Sequence, residues 1–150
     1  MRKDSLFNDM DSFLNSLYNI DKGFVNFFKR EIEDLDISPK EAMFISKIYY
    51  QEGISQRELA GKLYVSEANI AKTFKKLEKK ELAYKSIDEN NNARRKLHLT
   101  EKGEKKFEEC VKIFEQFDKI LFEGIDVGEK KKLFKQIKEI SNRSTSSLIE

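Results

Sequence analysis

The chain has 150 residues, of which 39% are hydrophobic and 37% are charged, and this length and composition predict one globular domain. No apolar run approaches the ~18–20 residues that a membrane span needs, and residues 1–5 lack the apolar stretch that opens a signal peptide. The single cysteine, Cys110, excludes an internal disulfide, so the expected compartment is a reducing cytoplasm.

The net charge of +2 is unevenly distributed along the chain. Residues 55–98 carry 11 basic and 6 acidic side chains, whereas residues 1–37 carry 5 basic and 8 acidic ones. The two remaining segments, 38–54 and 99–150, are each balanced. A basic segment inside an otherwise balanced protein is typical of a polyanion binder, because phosphates respond to local charge.

A long amphipathic helix is the first predicted element. Apolar residues recur at three- and four-residue steps from Leu6 to Leu35, with a bend expected near Gly23, where helix propensity is poor.

Three short helices are predicted next. Ser38, Pro39 and Glu41 give a capped start to a helix that stops at Gly53, and Ser55 and Glu58 form a second capping box. Ser66 can cap the third helix, whose inward stripe is Ile70, Phe74 and Leu77. Three short helices with such tight joints predict a helix-turn-helix.

A β-hairpin and two more helices complete the chain. Leu82–Ile87 and Arg95–Leu99 read as strands around a polar loop, Asp88–Ala93, and form a wing. Helical periodicity then runs from Thr100 to Gly124 and from Gly128 to Arg143, and the serine-rich segment 144–147 is expected to fray.

Four motifs in this order resemble those of the MarR family of regulators over essentially the whole chain. They are Ile54–Ala60, Val65-Ser66 opening the next helix, Leu77–Lys80 closing it, and Leu99–Gly103 after the wing. The resemblance implies a mostly α fold with a small β-hairpin wing, in which residues 38–100 form a winged helix-turn-helix DNA-binding lobe. It also implies that residues 1–37 and 101–150 are dimerisation helices within one domain, 1–150.

Two positions depart from the family pattern. Glu81 stands where the family usually has glycine, and a left-handed conformation there would cost on the order of 1 kcal/mol. The family's Asp-x-Arg signature in the wing is replaced by Asn91-Asn92-Ala93-Arg94, which lacks the aspartate and displaces the arginine by one residue.

The helix that starts at Ser66 is predicted to enter the major groove of duplex DNA. Asn69 is suited to bind adenine, and Ala68 or the Thr73 methyl to contact a thymine methyl. Lys72, Lys75 and Lys76 are suited to hold phosphates, as is the helix N-terminus at Gln56 and Arg57. The resemblance places a wing arginine, either Arg94 or Arg95, in the minor groove. The predicted DNA-binding residues are therefore Gln56, Arg57, Ser66, Ala68, Asn69, Lys72, Thr73, Lys75, Lys76, Arg94 and Arg95.

The resemblance also implies a homodimer on a pseudo-palindromic operator and a repressor released by a small, often aromatic ligand or another signal. Aromatic residues of the first two helices could line a ligand cavity or simply fill the core; they are Phe24, Phe27, Phe28, Phe44, Tyr49 and Tyr50. Cys110 lies in an apolar stripe, where an inert core thiol is favoured over a redox switch.

No enzyme, metal or cofactor is predicted. His98 has no second histidine or cysteine near it, and the sequence contains no glycine-rich phosphate loop. The alternative function is a winged helix used for protein contacts or as an architectural module without a specific operator. The operator, the target genes, the effector and the sign of regulation are not encoded in recognisable motifs.

Overall fold

The structure of the chain, a computed structural model, describes residues 3–147. The elements in chain order are α1 (Lys3–Glu31), a 3-10 turn (Glu33–Leu35), α2 (Pro39–Tyr50), α3 (Gln56–Leu63), α4 (Glu67–Lys79), β1 (Ala83–Asp88), β2 (Asn91–Leu99), α5 (Glu101–Phe122) and α6 (Val127–Ser146). A mostly helical chain with one antiparallel hairpin confirms the predicted fold class. The predicted domain limits at residues 1 and 150 lie outside the described residues. Within the described range, no helix is both long and apolar enough to cross a membrane.

The backbone contacts divide the chain after Glu115 into two compact units. The first unit holds α1 to β2 and the first part of α5, and the second holds the end of α5 and α6. The hydrophobic core lies in the first unit, and its fully buried members on α2, α3 and α4 are Phe44, Ile45, Ile48, Leu59, Ile70, Phe74 and Leu77. The predicted inward stripe of α4 is confirmed, so the opposite face of α4 is left to solvent.

Side-chain caps fix where the three short helices begin. The Ser38 hydroxyl accepts a hydrogen bond from the Glu41 backbone N–H (3.1 Å), and the Glu41 carboxylate accepts one from the Ser38 N–H (2.8 Å). Ser55 and Glu58 make the same pair of bonds at 3.1 and 2.8 Å. The Ser66 hydroxyl accepts from the backbone N–H of the third α4 residue, at 3.2 Å. These caps satisfy N–H groups that have no partner inside a helix, and all were predicted from the sequence.

Residues with positive φ make the tight joints between the helices. Gly53 (φ 78°) follows α2, Tyr64 (φ 53°) ends α3 and Glu81 (φ 59°) follows α4. Glu81 thus adopts the left-handed conformation that glycine would accommodate, and a non-glycine residue there costs on the order of 1 kcal/mol. The Glu81 carbonyl accepts a hydrogen bond from the Thr100 hydroxyl at 2.6 Å, which ties this joint to the start of α5.

The wing hairpin is longer than predicted. Its strands pair from Ala83 opposite Leu99 to Ile87 opposite Arg95, and after a register shift Asp88 pairs with Asn91. The second strand thus begins at Asn91 and not at Arg95, because the Asp88 and Asn91 side chains accept local backbone N–H bonds at 3.0 and 3.1 Å and allow a very short turn.

Two helix ends also differ from the prediction. α1 stops at Glu31, and the chain continues to Leu35 as a 3-10 turn because Asp36 adopts a left-handed conformation (φ 54°) before the Ser38 cap. α6 continues through Ser146, where fraying was expected. The Ser146 hydroxyl donates to the Asn142 carbonyl at 2.8 Å, and such back-bonding is compatible with a helical end.

Candidate nucleic-acid interface

The exposed face of α4 is basic. Ala68, Lys72, Lys75 and Lys79 recur at three- and four-residue steps and are all exposed, so they form one stripe along the helix. Lys76 is also exposed, beside this stripe. A helix with a narrow, cationic outer face fits the ~12 Å width and the negative potential of the DNA major groove.

Thr73 does not belong to this outer face, contrary to the prediction. Thr73 is 5% exposed, because a position three residues after Ile70 and four before Leu77 lies on the same inward side of the helix. The methyl group of Thr73 is therefore not available for a thymine contact. Ala68 keeps the exposure that such a contact requires.

Asn69 lies at the edge of the exposed face and has a partner from another helix. It is half-buried, and its side-chain oxygen accepts a hydrogen bond from the Lys40 ammonium at 2.5 Å. Lys40 is exposed and lies in the first turn of α2. Sequence reasoning missed Lys40, since no local pattern indicates a contact between residues 29 positions apart.

The N-terminus of α3 contributes a second cationic position. Arg57 is exposed and Gln56 is half-buried, both in the first turn, where free backbone N–H groups favour a phosphate. Ser66, the cap of α4, is exposed but its hydroxyl already accepts a backbone N–H, which makes it a positioning group for the helix.

An ion pair joins the wing to α3. Arg94 Nη2 lies 2.8 Å from Glu58 Oε1, and Arg94 Nε lies 3.8 Å from Asp88 Oδ2. Hydrogen bonds from the Ser55 backbone, and then from Arg94, lower the pKa of Glu58 from 4.5 to about 2. Glu58 in turn raises the pKa of Arg94. The displaced wing arginine is thus held against the helix-turn-helix, a role that the sequence did not indicate for Glu58 or Asp88.

Arg95 has a different environment. It is exposed, and its Nη1 donates to the carbonyl of Asn92 at 2.6 Å, within the wing itself. The two candidate wing arginines are therefore distinguished by the structure: Arg94 is ion-paired to another element, and Arg95 lies along the exposed edge of the hairpin.

The predicted ligand-binding aromatics take part in ring packing. Phe24 and Phe28 lie 5.4 Å apart and contact Phe114 at 5.4 and 5.1 Å between ring centroids. Phe44 has 0% exposure and belongs to the core. Tyr49 stacks on the Phe107 ring at 3.8 Å. These contacts are the ones expected if the aromatic residues simply fill the core. A ligand role for these residues stays a prediction.

Cys110 and His98, the two other residues considered in the sequence, both pack within the fold. Cys110 is 1% exposed, and burial raises the pKa of its thiol to about 11, so the thiol stays protonated at neutral pH. The His98 ring stacks on Tyr84 at 5.0 Å, with Nε2 2.7 Å from the Ser86 hydroxyl. Among residues 3–147, no group of three or more His, Cys, Asp or Glu side chains could hold a metal ion.

Three capped helices, a buried α4 stripe and an antiparallel hairpin define a winged helix-turn-helix with a basic outer face. The MarR family profile matches residues 37–95. The chain is 30% identical over 125 residues to the HTH-type transcriptional regulator BilQ of Clostridium symbiosum (strain WAL-14163), covering 83% of this chain and 87% of that protein. It is 29% identical over 121 residues to the uncharacterized HTH-type transcriptional regulator YybA of Bacillus subtilis (strain 168), covering 81% of each.

The chain therefore belongs to the MarR family, and it is a transcriptional regulator and not an enzyme. A solved structure with the same fold is the MepR–DNA complex of S. aureus, with a TM-score of 0.70 at 19% identity, covering 95% of this chain and 98% of that one.

Proposed function

We propose that the chain is a homodimeric, sequence-specific regulator of transcription that binds duplex DNA, acting in the cytoplasm as a repressor released by a small ligand or another signal. In this proposal residues 38–100 form the DNA-binding lobe, and residues 1–37 and 101–150 form the dimer. The observation that carries DNA binding is the exposed stripe of α4, where Lys72, Lys75 and Lys79 line one side of a helix of the right width for the major groove. The S. aureus relative of the same fold was solved bound to DNA.

The two arginines of the wing are proposed to have different roles. Arg94 is proposed to hold the hairpin beside α3 through Glu58, and Arg95 to enter the minor groove. Arg95→Ala is expected to weaken most the binding of sites with A·T-rich flanks. Arg94→Ala is expected to weaken binding to all sequences, because the wing loses its ion pair with Glu58.

The test of the α4 stripe is a salt titration of duplex binding by fluorescence anisotropy. Lys72→Ala/Lys75→Ala is expected to bind at least about tenfold more weakly and to reduce the slope of log K against log salt by about one for each phosphate that is no longer neutralised. The matched control is Lys135→Ala/Lys138→Ala, which removes the same charge from exposed positions of α6. An equal fall in affinity in both variants would show that only net charge matters, and would contradict a specific role for α4.

Homodimerisation is supported by apolar side chains that the monomer leaves exposed. Along α1 these residues are 36–57% exposed at helical spacing, and they are Leu6, Met10, Phe13, Leu14 and Leu17. In the second unit, α6 exposes Leu133, Phe134, Ile137 and Ile140 by 37–50%. Monomeric proteins rarely expose large contiguous apolar patches, so we propose that a second copy covers both helices.

The oligomeric state is measured directly by analytical ultracentrifugation. The wild-type chain is expected to sediment as a dimer, and Leu14→Asp to shift the equilibrium toward monomer. Asn8→Asp is the matched control, since it adds the same charge to an exposed polar position of α1. A monomeric wild-type chain at micromolar concentration would contradict the dimer.

The release step is proposed to involve the aromatic residues where α2 meets α5. Tyr49 and Tyr50, which are 46% and 76% exposed, both contact the Phe107 ring, so a small aromatic acid could stack beside them. Titration with a panel of small aromatic acids is expected to reduce DNA affinity for at least one compound, and Tyr50→Ala to reduce that response. DNA affinity that no compound changes would remove the ligand from the proposal and leave DNA binding intact.

A further inference from the structure

Lys40 and Asn69 form a polar pair at the edge of the α4 face. Lys40 lies in the first turn of α2, next to Pro39, and its ammonium donates to the Asn69 side-chain oxygen at 2.5 Å. Lys40 is exposed and Asn69 is half-buried, so the pair borders solvent.

The charge of Lys40 determines which way the Asn69 amide faces. An ammonium group has three donors and no acceptor, so the atom of Asn69 that meets it must be the oxygen. The amide nitrogen, with its two N–H donors, is then turned to the other side. Because Lys40 uses one donor on Asn69, the pair presents donors to an incoming ligand from both side chains.

The backbone position of Asn69 places this pair where base edges are read. Asn69 is the third residue of α4, and its backbone N–H is fixed by the Ser66 hydroxyl at 3.2 Å. The N-terminal residues of a recognition helix are those that contact bases. This step rests on the DNA-binding function proposed above.

We propose that Lys40 and Asn69 together read a guanine in the major groove. Guanine presents two acceptors there, N7 and O6, whereas adenine presents the N7 acceptor and the N6 donor. An asparagine that binds adenine through both atoms needs its oxygen for the N6 amino group, but in this chain that oxygen already accepts from the Lys40 ammonium, and a cationic donor beside it opposes the approach of the N6 donor. The pair therefore favours guanine over the adenine that Asn69 alone would suggest, and Lys40 acts as a specificity-determining residue.

The experiment is selection of bound duplexes from a randomised pool, with sequencing, for the wild-type chain and for substituted chains. Asn69→Ala identifies the contacted position as the one whose base preference disappears. At that position the wild type is expected to prefer guanine over adenine by about tenfold. Lys40→Met removes the donor and frees the Asn69 oxygen, so the guanine-to-adenine ratio is expected to fall to about one or below. Lys40→Arg keeps a cationic donor and is expected to retain the preference for guanine.

Lys62→Met is the matched control. Lys62 makes the same kind of bond, from its ammonium to the Gln51 side-chain oxygen at 2.5 Å, but on α3 and at the end of α2. The base preferences of the Lys62→Met chain are expected to equal those of the wild type. An adenine preference in the wild type, a guanine preference that survives Lys40→Met, or no change with Asn69→Ala would each overturn the inference while leaving a DNA-binding regulator in place. A wild-type pool without any common sequence would overturn the proposed function as well.

Discussion

One substitution, glycine to alanine, is expected to have opposite effects at two helical positions of this chain. Gly103 lies in the first turn of α5, where an added Cβ would come within 2.0 Å of the Leu82 carbonyl oxygen and 3.0 Å of its carbon. That carbonyl accepts the Thr100 backbone N–H at 3.0 Å, so it cannot move without loss of a hydrogen bond between the residue that precedes β1 and the residue that precedes α5. Gly61 lies inside α3, and a Cβ there would meet nothing within 4 Å.

The magnitudes follow from these distances. Alanine in a helix interior is more stable than glycine by about 0.5–1 kcal/mol, which is the whole effect expected for Gly61→Ala. At Gly103 the same gain is opposed by overpacking against backbone, about 1–3 kcal/mol, and by a weakened hydrogen bond of about 1 kcal/mol. The net expectation for Gly103→Ala is destabilisation by about 2 kcal/mol, or a fall in Tm of roughly 4–8 °C.

The assay is thermal and urea unfolding followed by circular dichroism, at one fixed protein concentration because dimerisation would couple Tm to concentration. Gly61→Ala serves as the control for helix propensity. A Gly103→Ala variant as stable as Gly61→Ala, within about 0.5 kcal/mol, would refute the close packing of α5 on the Leu82 carbonyl.

Three further predictions concern other residues. Glu81→Gly is expected to raise the free energy of unfolding by about 0.5–1 kcal/mol through relief of the left-handed strain, while Glu81→Ala, which removes the charge but keeps a Cβ, gives no such gain in the same urea assay. The fold lowers the pKa of Glu58 from its ordinary 4.5 to about 2, so the ionised carboxylate stabilises the fold above pH 4.5. This contribution disappears as the pH falls toward 2. Because the Glu58 side chain is 44% exposed, the difference in stability between wild type and Glu58→Gln is expected to stay below about 1 kcal/mol at pH 7 and to shrink toward pH 2. A difference independent of pH would contradict a stabilising role for the ionised Glu58 carboxylate, which accepts from the Ser55 backbone N–H and from Arg94. Cys110, with a pKa of about 11 and 1% exposure, is expected to react with a thiol reagent at pH 8 at least about a hundredfold more slowly in the folded chain than in urea, and equal rates would contradict its burial.

The local chemistry of the chain made the fold predictable. Each short helix begins with a serine that caps it, and in two of them a glutamate three residues later completes the capping box. The 3.6-residue period of Ile70, Phe74 and Leu77 located the buried face of α4. These signals act over a few residues, so a sequence displays them directly.

The contacts between distant residues were not predictable in this way. The pairing of Lys40 with Asn69 and of Arg94 with Glu58 depends on how helices and wing pack, and no local pattern specifies it. The prediction that the Thr73 methyl contacts DNA is wrong, because the spacing of Thr73 from Ile70 and Leu77 places it on the buried side of α4. The long second strand was missed because asparagines usually mark loops, whereas here Asn91 stabilises a short turn with its own side chain.

Selection of duplexes from a randomised pool by the wild-type chain, at two salt concentrations, is the most direct test of a dimeric, sequence-specific regulator. The expected result is a pseudo-palindrome whose half-sites lie about one helical turn apart, bound with an affinity that falls steeply with salt. Enrichment of no common sequence, with binding that depends on salt alone or is absent at low salt, would contradict the proposed function and favour an architectural or protein-binding winged helix.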